Sequence, residues 1–353
     1  MYAILVSILV VSPLRVDATI SSGRSAHVRS TSTARNMVSR DELLSFALPN
    51  TDEAFRTTMS RDERVARLRY LLTNSDDLLV MPCCYDGFTA RMVEQAGFDL
   101  TFMTGFGVSA TYGVPDTGLV SAGEMVSSAS VICGALRRIP CIGDGDTGYG
   151  NAVNVKRTVH KYAQAGMAGI MLEDQVAPKR CGHTKGKSVV SREEACSRIQ
   201  AAVDARKEGA DIVILARTDA RATLGLDEAI ERLKMFRALG ADWTFLEAPQ
   251  SVEEMQRYCR EVDGPKLFNA LEGGLTPLLP YAELKAMGYT VAAYPLTLLS
   301  AGAKAMQQAL HKLKEGQPTD PLVLDFAELQ KLVGFPDYDI ESNRYKTPPP
   351  TGV

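Results

Sequence analysis

A closed (β/α)8 barrel of the α/β class is the fold this chain of 353 residues predicts. Three observations carry it. From Asp76 onward, eight short apolar runs alternate with amphipathic, helix-patterned stretches. The runs are continuously apolar, as strands covered on both faces are. Polar residues suited to chemistry fall at or just beyond the ends of those runs, where barrels of this kind carry their sites. A doubly wound open sheet is the alternative, but no Gly-x-Gly-x-x-Gly follows the first run.

The expected strands are 78–83, 99–104, 139–144, 168–173, 211–217, 242–247, 265–270 and 289–294. Between them Ser121 with Glu124, Ser191 with Glu194, and Ser251 with Glu254 have capping-box spacing. The segment 226–239 sets Leu226, Ile230, Leu233 and Leu239 towards one side and stops at Gly240, a C-terminal cap. Residues 41–75 are charged and helix-prone, and are expected to cover the amino-terminal end of a barrel spanning 76–317. The part 318–353 holds a helix from Asp325 to Val333 and a proline-rich end at 348–350.

The first forty residues stand apart. Ala3 to Val11 is an apolar run of signal length, and Thr19 to Arg40 is rich in Ser, Thr and Arg without an acid. The tandem predicts a bipartite leader directed to a plastid, with the mitochondrion as the alternative. That segment carries five arginines and one aspartate, so a net charge of −3 leaves −7 on the remainder. A body this acidic has no basic footprint for nucleic acid, and Ala3 to Val11 is too short to span a membrane. Seven cysteines without a Cys-x-x-Cys pair point to a reducing compartment, not a disulfide framework. The four histidines are too scattered for a zinc cluster.

Chemistry concentrates between Met171 and His183. An apolar run ends in Glu173 and Asp174, and the loop after it reaches Lys179-Arg180-Cys181-Gly182-His183. A thiol beside two cations, Lys179 and Arg180, sits in a field expected to favour thiolate, with His183 tuning it or else bonding within the loop. The loop from Gln175 to Val190 is long and glycine-bearing, as a lid that closes over substrate is. Asp144 and Asp146, at i and i+2, face one side of an extended chain. With Glu173 from the next strand they form a set of hard oxygen ligands suited to Mg²⁺ or Mn²⁺. A plain Asp/Gly turn is the rival reading of that loop. After the second strand, the glycine-bearing stretch Thr104-Gly105-Phe106-Gly107-Val108-Ser109 has backbone amides suited to cradle a carboxylate or phosphonate oxygen, with a plain turn as the rival reading. Arg217 ends the fifth strand, and its fork matches a carboxylate in two parallel bonds. Asp219 is placed to orient it or to cap a helix.

The Lys-Arg-Cys-Gly-His run, preceded by Leu172-Glu173-Asp174-Gln175, resembles the signature of the isocitrate lyase and phosphoenolpyruvate mutase superfamily. The resemblance extends over about Asp76 to Glu315 through several motifs, nearest to plant-type phosphorylmutase and petal death members, with methylisocitrate lyases next. It implies direct metal ligation by Asp144, with Asp146, Glu173 and Asp116 acting largely through metal-bound waters. It assigns Thr104, Gly105 and Phe106 to the substrate carboxylate, and Glu247, Asn269, Glu272 and Thr276 to the remaining polar wall. A tyrosine often proposed as the base in that family is Phe102 here, which leaves the base unassigned. The resemblance makes Cys181 the proton donor of a Mg-dependent carbon–carbon lyase. Its substrate would be a 2-hydroxy dicarboxylate, the ring of Phe106 favouring 2-alkylmalate or dimethylmalate over methylisocitrate or isocitrate. Oxaloacetate hydrolysis, phosphonate chemistry and a non-catalytic dicarboxylate-binding barrel are the alternatives. Members of that family form tetramers that exchange a carboxyl-terminal helix, a role Leu296 to Leu313 would suit.

Overall fold

Eight parallel strands close on one another in sequence order, β1 pairing with both β2 and β8. They are β1 (Leu79–Cys84), β2 (Thr101–Met103), β3 (Cys141–Asp144), β4 (Gly169–Glu173), β5 (Val213–Thr218), β6 (Trp243–Leu246), β7 (Lys266–Asn269) and β8 (Val291–Tyr294). Each overlaps an expected run. This computed structural model describes residues 58–184 and 186–347; the leader, residues 41–57, Lys185 and residues 348–353 lie outside it.

The first described helix, α1 (Arg61–Asn74), has Ser60 as a full capping box with Glu63. It buries Val65, Leu68 and Leu72 among side chains from the barrel interior, including Ile142, Ala168, Leu215 and Trp243. The bottom of the barrel is thereby plugged. Full burial of one such leucine contributes about 2 kcal/mol. The larger core lies between the strands and the surrounding helices.

Those helices are α2 (Gly87–Gln95), α3 (Gly105–Thr111), α4 (Ala122–Ala135), α5 (Ala152–Gln164), α6 (Arg192–Lys207), α7 (Ala220–Leu224), α8 (Leu226–Leu239), α9 (Val252–Glu261) and α10 (Tyr281–Met287). Helix α8 ends in a left-handed Gly240, φ 110°, as its sequence predicts. Of the three expected capping boxes, that of Ser121 and Glu124 is complete. The other two are half made. Ser191 and Ser251 accept the N3 amide, but Glu194 goes to Arg198 and Glu254 to Arg221. An arginine within reach offers a carboxylate a charge-assisted partner in place of a neutral amide.

Beyond the barrel run α11 (Thr297–Lys314), α12 (Phe326–Val333) and α13 (Phe335–Arg344), none with a buried residue. Asp337 of α13 is 2.9 Å from Arg91 and 3.0 Å from Arg137. Among the described residues no helix is long and apolar enough to cross a membrane.

Candidate active site

Strand register decides which polar groups meet. In a parallel barrel the carboxyl ends of all strands open on one face, and β4 and β5 are aligned so that Glu173 stands opposite Arg217. The Arg217 Nη2 is 3.3 Å from Glu173 and 3.0 Å from Glu247 at the end of β6. Its Nε and Nη2 also donate to both oxygens of Asp219, at 2.9 and 3.0 Å. The fork expected to grip a substrate carboxylate is thus spent on Asp219, because the two residues are i and i+2 at a strand end. Burial works against the charged guanidinium, but Asp219, Glu247 and Glu173 outweigh it and hold its pKa well above the usual value. For Glu247 burial is likewise outweighed, here by Arg217 and by the hydrogen bond from His183, and its pKa falls to about 2.

The acids form a second group beside the first. Asp144 ends β3 fully inside, accepting from the Gly105 amide at 3.2 Å and the Asp146 amide at 3.0 Å. A Cβ on Gly105 would stand 2.6 Å from Asp144 Oδ2, so glycine is what lets this carboxylate approach. Behind the strand end, the Tyr162 hydroxyl donates to the Asp144 carbonyl at 2.6 Å. The ammonium of Lys179 lies 2.5 Å from Asp116 and 2.7 Å from Asp146. Burial raises the Asp144 carboxyl to about 6, with Asp146 adding to the shift. Burial first, then the charges of Asp219 and Asp144, push Glu173 far above the carboxylate range, although Arg217 and Lys179 pull it down.

Whether these groups suit a divalent ion can be judged from their free valences. Glu173 Oε1 is buried without a hydrogen-bond partner, and Asp146 Oδ1 is held by the Lys179 ammonium at 2.7 Å. Hard carboxylate oxygens with unmet demand fit Mg²⁺ or Mn²⁺. Among the described residues no three His, Cys, Asp or Glu side chains converge to ligate one ion directly. The set therefore fits an ion with one direct carboxylate and several retained waters, the habit of Mg²⁺.

The Gln175–Val190 loop folds over this mouth. It is closed at its base by the Gln175–Val189 bridge and the bond from the Val176 amide to the Ser188 carbonyl. Across its interior, the Gln175 amide side chain exchanges two hydrogen bonds with the Arg180 backbone, at 2.9 and 3.0 Å. Cys181 lines one cavity with Asp116, Asp144, Glu173, Arg217 and Glu247, about 650 Å³ including its open mouth. A Cβ on Gly182 would collide with Glu247 and Arg217.

The thiolate expectation is corrected. Burial, with Asp116 and Glu247 adding to it, raises the Cys181 thiol above its ordinary value, against the pull of the His183 amide and Arg217. Of the two cations beside it in the chain, Lys179 is on the acids while Arg180 lines the same cavity; Lys187, further along the loop, is on Asp219 at 2.7 Å. The ring of His183 is elsewhere too. Its Nδ1 accepts from the Leu275 amide at 3.1 Å, which leaves Nε2 to donate to Glu247 Oε1 at 3.0 Å. The part of His183 that lowers the thiol is its backbone amide.

Of the expected substrate contacts, Thr104, Phe106, Arg217 and Asn269 line the cavity. Thr104 also caps α3, and the Gly105 amide is given to Asp144, not to a ligand. Asn269 stands 3.3 Å from His183 Nε2 and 3.5 Å from Glu247. Thr276 and Glu272 do not line it: Thr276 is buried with an unpartnered hydroxyl, and Glu272 accepts from Thr297 at 2.6 Å. Phe102 lines the cavity with a ring and no proton acceptor. Sequence reading missed the apolar wall of Cys83, Phe245, Leu271, Pro295 and Leu296, whose residues carry no chemical signature. It also missed the seat of Lys179, which the run of residues ties only to Cys181.

Comparison with known proteins identifies the family. The phosphoenolpyruvate phosphomutase family model matches residues 68–314. The chain is 44% identical over 286 residues to 2,3-dimethylmalate lyase of Eubacterium barkeri, covering 80% of this chain and 98% of that protein. Among solved structures it resembles oxaloacetate acetylhydrolase in complex with 3,3-difluorooxalacetate, at TM-score 0.76 and 37% identity, over 80% of this chain and 97% of that one. A phosphonopyruvate hydrolase holding oxalate and Mg²⁺ matches at TM-score 0.71 and 28% identity, over 81% and 99% of the two chains. The chain belongs to the phosphoenolpyruvate phosphomutase family, in the superfamily it shares with isocitrate lyase, and is an enzyme of the lyase kind.

Proposed function

We propose that the protein cleaves the C2–C3 bond of a 2-hydroxy dicarboxylate, best a 2-alkylmalate or 2,3-dimethylmalate, with Cys181 as general acid. The supporting observation is that the Cys181 thiol, which burial holds above its ordinary pKa, lines the same cavity as Asp144 and Arg217. A proton donor must be protonated at working pH, and a raised thiol pKa serves that role where a thiolate would not.

Asp144 would hold a divalent ion, with Asp146, Glu173 and Asp116 reaching it through water; once bound, the ion supplies Lewis-acid stabilisation of the oxygen on C2. Arg217, its fork fixed by Asp219, presents positive charge to a substrate carboxylate. The docked loop keeps bulk water from the carbanion-like product. As water takes up the hydroxyl proton, which returns to the Cys181 sulfur at the end of the cycle, the C2–C3 bond breaks and its electron pair moves to C3, giving a 2-oxo acid and an aci-carboxylate. The Cys181 S–H then delivers its proton to C3, yielding the saturated carboxylate.

The apolar wall and Phe106 support methyl substituents over a third carboxylate. Likeness to oxaloacetate acetylhydrolase supports a second reading, oxaloacetate hydrolysis. The test is a panel of malate derivatives, methylisocitrate, isocitrate and oxaloacetate, assayed for 2-oxo acid or oxalate with Mg²⁺, with Mn²⁺ and with chelator. Cleavage of the alkylmalates, lost on chelation and in Cys181→Ala, is expected. Oxalate formation alone would transfer the assignment to the hydrolase.

Two further expectations complete the proposal. The run from Thr297 to Arg344, without a buried residue in its α-helices, supports a homo-oligomer in which neighbours cover those faces. Light scattering on the chain with and without residues 318–353 tests it. The leader composition supports a plastid destination, tested by a fluorescent fusion to residues 1–40.

A further inference from the structure

The loop that carries Cys181 meets the barrel through charges, and one contact differs from the rest. Lys187 extends from the far arm of the loop and places Nζ 2.7 Å from Asp219 Oδ1. The two side chains are 2% and 0% exposed. The same ammonium donates to the Gly182 carbonyl, within the turn that follows Cys181. Lys187 therefore ties the tip of the loop and the wall of the barrel through a single nitrogen.

Its partner has an alternative. Asp219 also accepts two hydrogen bonds from Arg217, neither of which passes through the lysine. If the loop lifts, the carboxylate is not stranded, and the ammonium regains water. Burying an ammonium is costly unless it is paired and hydrogen-bonded. Docked, Lys187 meets that condition through Asp219 and Gly182; lifted, it meets it through solvent. Half-docked arrangements leave it buried and unpaired. The contact therefore favours two states over a continuum of positions.

We propose that Lys187 is a positioning residue, a latch whose ion pair with Asp219 holds Cys181 over the cavity. The consequence for the site is direct, because Asp219 is also the residue that fixes Arg217. The loop closes onto the counter-ion of the substrate-facing guanidinium, so docking of the thiol and orientation of Arg217 share one carboxylate. The inference rests on the reading of Cys181 as the reacting thiol, but its test does not need turnover.

The test is the alkylation rate of Cys181 by iodoacetamide in the full-length protein without substrate, read by peptide mass spectrometry. Cys196 and Cys259, also partly exposed and free, serve as internal references. Lys187→Met and Lys187→Gln should each speed alkylation of Cys181 by about tenfold, since either removes one partner of a buried pair. Both references should keep the wild-type rate, and Lys187→Arg should restore slow labelling of Cys181. A wild-type rate in the Met and Gln variants would overturn the latch. So would a common rise at all three cysteines, which reports general loosening. A protein that cleaves nothing in the substrate panel would sink the lyase reading and leave the labelling result standing.

Discussion

The ammonium of Lys179 stands 2.7 Å from the carboxylate of Asp146, inside the acid cluster and not beside the thiol two residues along the chain. Burial opposes its charge, but Asp146, Asp144, Asp116 and Glu173 overcome that and hold its pKa well above the usual lysine value. Replacing it with methionine leaves buried carboxylates uncompensated. Metal-free Lys179→Met should lose about 3 kcal/mol of stability by denaturant titration. It should also bind Mg²⁺ or Mn²⁺ more tightly by calorimetry, because the cluster it leaves is more negative.

The elevated thiol of Cys181 has a pH signature. Burial, Asp116 and Glu247 keep the proton on sulfur, so the group stays neutral below its raised pKa and becomes thiolate only above it. Alkylation of Cys181 should therefore climb at more alkaline pH than that of a free thiol compound measured alongside. A rate already at its plateau near neutral pH would contradict the assigned acid.

Gly105 lets Asp144 sit against the turn after β2. A Cβ there would stand 2.6 Å from Asp144 Oδ2, on a strand end that Tyr162 holds from behind and cannot retreat. Gly105→Ala should weaken divalent-ion affinity by about tenfold or more, as changes beside a metal ligand do. Equilibrium dialysis against Mn²⁺ reads it directly.

Phe106 is 36% exposed at the cavity wall. Phe106→Ala should lower kcat/KM for a dimethylmalate-type substrate by about tenfold to a hundredfold and narrow its advantage over methylisocitrate, the scale a hydrophobic pocket can discriminate. Unchanged relative rates would remove this ring from the specificity argument.

Tyr162→Phe removes the donor to the Asp144 carbonyl and leaves that buried oxygen unpaired on this side. A loss of about 1–3 kcal/mol is expected by chemical denaturation. Metal affinity should fall with it, since the carbonyl and the carboxylate belong to one residue.

The sequence by itself determined the barrel. Its eight runs overlap the eight strands, three to six residues long, because short continuous apolar segments separated by amphipathic helices have few other ways to bury both faces. It also determined which carboxylates share a mouth, since Asp144, Glu173 and Glu247 each end or directly follow a strand, and parallel strands all end on one face. The termination of α8 at Gly240 was local backbone chemistry and equally legible.

What only the tertiary structure decided is how the charges pair. Lys179, His183 and Lys187 are near neighbours of Cys181 in the chain, yet their side chains go to Asp146, Glu247 and Asp219. Arg217 gives its fork to Asp219 while Thr276 and Glu272 turn away from the cavity. Strand ends follow from local pattern, but a long charged side chain reaches across several ångströms to whichever buried partner most lowers its desolvation cost. That partner is set by the three-dimensional meeting of separate segments, and spacing along the chain does not encode it.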